Sequence, residues 1–147
     1  MPPLSSTFPS PASSRQPVAP AACAWATGQL QRWDRIGLGV RLAYNPNQPQ
    51  VVRLWLALGD HLVAQGVLSE REAPQRALTV LLQVAHDEGL PGFWRSVCLE
   101  HTAIPLARLH SLSRRLGQPL ALEVPDLHAA VRAAHEKFAL LAQRPAA

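Results

Sequence analysis

The chain has 147 residues, of which 48% are hydrophobic and 16% charged, with a net charge of +4. That balance excludes an intrinsically disordered chain and leaves enough length for one self-sufficient core. The basic excess is spread: residues 1–58 carry five arginines against Asp34, residues 59–104 three against six acids, and residues 105–147 six basic groups against three. A nucleic-acid-binding surface normally gathers its Lys and Arg into one stripe, which this pattern does not show.

Arginine supplies 13 of the 14 basic residues, with Lys137 the exception, and Ala, Leu and Pro abound. Such a bias reflects a GC-rich gene and points to a high-GC bacterium or one of its plasmids or phages. Cys23 and Cys98 are too few for a disulfide scaffold and fit reduced thiols in a cytoplasmic protein. No run of apolar residues is long enough to cross a membrane, and Pro and Ser interrupt every candidate signal core.

Residues 1–20 hold six prolines and five serines and few large apolar groups, so they are expected to be a disordered tail ahead of a single helical domain at 21–147. From residue 21 to 44 two periods compete. Ala26, Leu30, Trp33, Gly37, Val40 and Tyr44 recur at helical spacing, whereas Ile36, Leu38, Val40, Leu42 and Tyr44 alternate as in a strand. The longer helical pattern predicts a helix, with a strand at 36–44 as the alternative. Pro46 and Pro49 then bar continuation.

Val51 to Gly66 carries two adjacent apolar stripes, Val51–Trp55–Leu58–Leu62 and Val52–Leu56–Gly59–Val63. A helix apolar on so many sides is expected to be the central one, packed between Leu78–Ala85 and Leu127–Leu141, with Trp33 near Gly59. Gly66 fits its end, and Ser69-Glu-Arg-Glu72 reads as a capping box for the next helix, which presents Leu78, Leu81, Leu82 and Ala85 to the core. Gly89 and Pro91 stop that helix. A short helix follows over Phe93–Thr102, Pro105 restarts the chain, and Leu106, Leu109, Leu112 and Leu116 line one side up to Gly117. Residues 120–124 alternate briefly, as a connector or an edge strand that would pair with 36–44. Leu127, Val131, Ala134, Phe138 and Leu141 mark the last helix. No internal repeat stands out. The fold predicted is a compact all-α bundle of four to six helices.

Little chemistry is concentrated anywhere. Cys98 and His101 lie one turn apart, a usable ligand spacing, but no second pair completes a zinc set. His128 and His135 are two turns apart and too distant to share an ion unaided. His86-Asp87-Glu88 and Glu100-His101 place acids beside imidazoles at helix ends, where neighbouring side chains diverge. Gly37-Leu-Gly39 lacks the rest of any phosphate loop. No catalytic, metal or cofactor residue is assigned. Arg108, Arg114 and Arg115 are the candidate nucleic-acid contacts, although the eight-residue connector after them is too long for a helix-turn-helix. Trp25 reads as a core residue or, alternatively, as an exposed anchor for a partner. The function expected is that of a non-enzymatic accessory protein, plasmid- or phage-borne and for example assisting conjugative transfer, that binds another protein or itself. The alternatives are a basic helical nucleic-acid-binding protein and a small metal-dependent enzyme.

Overall fold

The computed structural model describes residues 20–117 and 123–143, and for 20–22, 123–128 and 142 the backbone alone. Six helices follow one another: α1 (Pro20–Arg41), α2 (Gln50–Ala64), α3 (Glu72–His86), α4 (Gly92–His101), α5 (Ala103–Leu116) and α6 (Glu123–Ala142). Among the described residues there is no strand. The strand alternative at 36–44 is therefore overturned, because α1 runs through Arg41 and ends in a turn. The helical period prevails because Trp33, Gly37 and Val40 all reach the core, while Leu38 and Leu42 of the alternating set face solvent. Its proposed partner is not tested as a strand at 120–122, which lies outside the described residues; Glu123 and Val124 open α6. The expected tail lies outside them too, apart from Pro20, the first residue of α1.

The boundaries follow local chemistry. Ser69 Oγ accepts the Glu72 amide at 2.9 Å, so the serine caps α3 as its spacing predicts, and Pro74 sits in the first turn where its missing N–H costs nothing. At the end of α2 the Val67 amide reaches the Leu62 carbonyl at 2.9 Å and the Gly66 amide reaches Val63 at 3.0 Å. Gly66 makes this closure with φ of 74°, a left-handed conformation that glycine adopts without strain.

Helices α1 and α2 pack antiparallel around a reciprocal pair of indoles. Trp33 Nε1 donates to the Trp55 carbonyl at 3.1 Å, and Trp55 Nε1 donates back to the Trp33 carbonyl at 3.2 Å. The rings stack with centroids 5.5 Å apart. Each carbonyl points toward the residue four positions on, which is Gly37 after Trp33 and Gly59 after Trp55. A side chain there would cover it, and a Cβ would come within 3.1 Å of the Trp55 ring at Gly37 and 3.0 Å of Trp33 at Gly59. The expected approach of Trp33 to Gly59 is thus present, together with its mirror image. Trp-x-x-x-Gly occurs twice, 22 residues apart, a local repeat too short to stand out as a duplicated module. Burying an indole contributes roughly 4–6 kcal/mol of apolar transfer, against about 1 kcal/mol net for its hydrogen bond. Burial therefore drives the contact, and the hydrogen bonds decide its geometry.

The central helix is α3, not α2. It packs against all five other helices. Ala73, Ala77, Leu81 and Val84 face one apolar cluster, shared with α1, α2 and α4, while Leu78, Leu82 and Ala85 face a second, shared with α4, α5 and α6. The buried residues of α2, by contrast, converge on one side, and Leu54 is 64% exposed. Helix α6 does not flank α2 as expected; through Val131, Ala134 and Phe138 it joins the second cluster and packs on α3 and α4. Arg95 ties these layers together. It is 8% exposed, donates twice to the Ala85 carbonyl at 3.2 and 3.0 Å, and lies 5.2 Å from the Phe138 ring centroid. A cation so placed completes the orphan carbonyls at the α3 C-terminus.

Three glycines of α1 and α2 separate packing from propensity. Alanine at a helix interior gains about 1 kcal/mol over glycine. At Gly37 and Gly59 the new Cβ must displace a buried indole, at a cost of about 1–3 kcal/mol, so Gly37→Ala and Gly59→Ala should lower the melting temperature. At Gly39 the Cβ would meet Tyr44 at an ordinary 3.4 Å, so Gly39→Ala should raise it. Thermal unfolding followed by circular dichroism distinguishes the two classes.

Candidate functional site

Trp25, Arg32, Ile36 and Gly39 recur at seven, four and three and so lie on one stripe of α1. This flank turns away from α3, which meets the opposite flank through Asp34 and Arg41: Arg76 of α3 pairs with Asp34 at 2.5 Å, and Arg41 with Asp87 at 2.8 Å. On α2 the neighbouring stripe is Val51, Leu54 and Leu58. The two stripes meet where Ile36, Gly39, Tyr44 and Val51 line a hollow of about 190 Å³ with Arg35 at its edge and Trp94 at its floor. Trp94 is itself buried and donates Nε1 to the Val40 carbonyl at 2.9 Å.

This outer face carries apolar groups that the core does not use. Trp25 is 47% exposed, Tyr44 62% and Leu54 64%, while Trp33, Trp55 and Trp94 are buried. Trp25 therefore does not pack in the core, the more ordinary of its two readings, because it precedes the part of α1 that α2 and α3 cover. The face is also cationic. Arg32 and Arg35 are exposed, and among the described residues no carboxylate pairs with either. Arg53, Arg114 and Arg132 likewise lack an acidic partner there, but none of them borders the hollow.

The predicted nucleic-acid contacts lie elsewhere. Arg108 and Arg115, two turns apart on α5, stand on one rim of a groove of about 470 Å³ between α5 and α2, with Val63, Pro74 and Leu112 on its walls. Arg108 pairs across it with Asp60 at 2.5 Å, and Arg115 pairs with Glu70. Arg114 is exposed beside them in the last turn of α5. The structure thus brings Arg108 and Arg115 into line but sets an acid opposite each. Desolvation raises the Asp60 carboxyl from its ordinary 3.8, and the opposing pull of Arg108 only partly offsets this. Asp87, which accepts hydrogen bonds from Arg41 and the Gly89 amide, is shifted the other way, to below 3.8.

The histidine and cysteine pairs are not assembled into a site. Cys98 is fully buried in the first cluster, where desolvation pushes its thiol up to about 12. His101 Nδ1 lies 2.7 Å from the Val97 carbonyl, which makes that nitrogen the protonated donor. His135 is exposed, and the side chain of His128 lies outside the described residues. Among the described residues no three His, Cys, Asp or Glu side chains gather as a metal would require.

Sequence reasoning missed Arg32, Arg35, Tyr44 and Leu54 as a group. One signal was available: α1 holds one acid, Asp34, on the flank opposite Trp25. No family model matches the chain, and no curated protein or solved structure matches it either.

Two measurements check these environments. Thiol titration of the native protein should modify exposed Cys23 rapidly, whereas Cys98 should react only after denaturation; prompt native reaction of both thiols contradicts the burial. The second concerns pH. Because Asp60 has a raised folded pKa, its protonation favours the fold: that stabilisation is complete below 3.8 and is lost as pH rises through the folded value. Asp60→Asn should therefore be as stable as the parent or more so at pH 7, with the difference shrinking under acid. Asp87 stabilises above 3.8 and loses this as pH falls through its lowered value, so Asp87→Asn should cost stability at pH 7 and little in strong acid.

Proposed function

We propose that this chain is a non-enzymatic helical adaptor that acts by binding another protein through the outer face of α1 and α2. The observation that carries the reading is the contrast between Trp25, Tyr44 and Leu54, all exposed there, and three fully buried tryptophans. Large aromatic and apolar groups are rarely left in water as a group on a monomer unless something covers them, and Trp and Tyr with flanking Arg are the residues that carry most binding energy at interfaces. An accessory role on a mobile genetic element is compatible with the composition.

Nucleic-acid binding through Arg108, Arg114 and Arg115 is the weaker reading. The ion pairs themselves are no obstacle, since an exposed pair contributes about 0–1 kcal/mol. The obstacle is that a phosphate backbone approaching Arg108 and Arg115 also meets Asp60 and Glu70, so the rim offers little net positive charge.

A photo-crosslinking residue placed at Trp25 or Leu54 in cells that carry the gene should yield a covalent adduct of discrete higher mass, whereas the same residue at exposed Gln83 on α3 should not. The protein reading is overturned if positions 25 and 54 give no adduct beyond that of 83. Duplex DNA titrated at low and moderate salt should show no salt-dependent binding at micromolar protein.

A further inference from the structure

We propose that the hollow between α1 and α2 is the docking site for an acidic amphipathic helix of a partner protein. One apolar side chain of that helix enters against Gly39, and its carboxylates meet Arg32 and Arg35. This deepens the protein-binding reading above and depends on it.

Three observations converge. The hollow, at about 190 Å³, is smaller than the roughly 300–1,000 Å³ of a drug-sized ligand site and suits a single inserted side chain. Gly39 keeps it open without being required by packing. A Cβ there has ordinary room, whereas Gly37 and Gly59 are held by indoles at 3.1 and 3.0 Å. Finally, Arg35 lines the hollow and Arg32 lies one turn before Ile36 on the same stripe of α1, and among the described residues no carboxylate pairs with either, a charge left for a partner to complement.

The same charges select the occupant. Residues 1–19 contain Arg15 and no acid, so this chain's own N-terminal segment does not complement the face. A symmetric dimer through it would gather both copies' Arg32 and Arg35 with no carboxylate between them. Two cations beside an apolar hollow are few for a phosphate backbone, whose binders neutralise many charges. From Trp25 to Gly39 the stripe runs about 21 Å, at 1.5 Å per residue, and the groove between two antiparallel helices is the surface against which a third helix lays its apolar ridge.

The test is selection from a display library of random peptides of about 16 residues against the immobilised full chain, with a 30-base-pair DNA duplex measured in parallel. Enriched peptides should carry Asp or Glu and a large apolar residue at helical spacing. Their binding should fall at least about tenfold with Gly39→Leu, which fills the hollow, and with Arg32→Glu plus Arg35→Glu. Arg108→Glu plus Arg115→Glu should leave it unchanged. Gly39→Leu should keep the parent's helical circular dichroism and melt no lower than the parent, so that lost binding is not lost fold, and the charge reversals lie on the surface. The proposal is overturned if no peptide is enriched, if enriched peptides lack acids or ignore Gly39→Leu, or if the duplex binds and loses binding with Arg32 and Arg35. Should cross-links from positions 25 or 54 persist when the peptide selection fails, the occupant is wrong and the protein-binding reading stands.

Discussion

The mutual hydrogen bonding of Trp33 and Trp55 is the constraint on which the rest of the molecule depends. Two indoles exchange N–H donors for main-chain carbonyls without crowding where neither helix carries a Cβ four residues on, and Gly37 and Gly59 leave that space, a Cβ there standing 3.1 and 3.0 Å from the rings. The arrangement fixes the register of α1 against α2 and holds both helices close enough for the cluster below to form. It also leaves no buried side-chain donor unmatched among the described residues. Arg76 lies 4.9 Å from the Trp33 ring centroid while bonded to Asp34, so α3 is anchored to the same pair.

From that anchor the architecture follows through α3, whose small residues at Ala73, Ala77 and Ala85 let neighbours approach on two sides. One helix forming the wall of both clusters explains how a modest chain buries six helices without a large continuous core. Arg95, bonded to Ala85 and covered by Phe138, joins α4, α3 and α6 at a point where an apolar side chain would leave a helix end unsatisfied.

The fold also sorts the charge. Arg41, Arg76, Arg108, Arg115 and Lys137 each meet an acid. Arg32 and Arg35 are among the arginines left without an acid, and they lie on the stripe of α1 that also carries exposed Trp25. Arg108 and Arg115 look in sequence like the basic segment of the chain, yet their acids come from Asp60 and Glu70, 48 and 45 residues away. No local pattern displays such pairing.

The sequence by itself determined the end of α2 and the start of α3, because those events are local: a serine oxygen reaches the third amide on, a proline removes a donor, and glycine closes an end in a left-handed turn. It left 120–124 as a connector or strand, where α6 opens at Glu123. It likewise determined the all-α class and the approach of Trp33 to Gly59. It favoured α2 as the centre because apolar count is local too, and counting cannot tell a helix covered on two sides from one whose extra leucine faces water. Only the tertiary structure decided that α3 is the hub, that α6 packs away from α2, that Trp25 stays outside the core and that Arg32 and Arg35 of α1 keep no acid opposite them. Each of these depends on what another helix places opposite a given side chain, and that is set by packing across tens of residues.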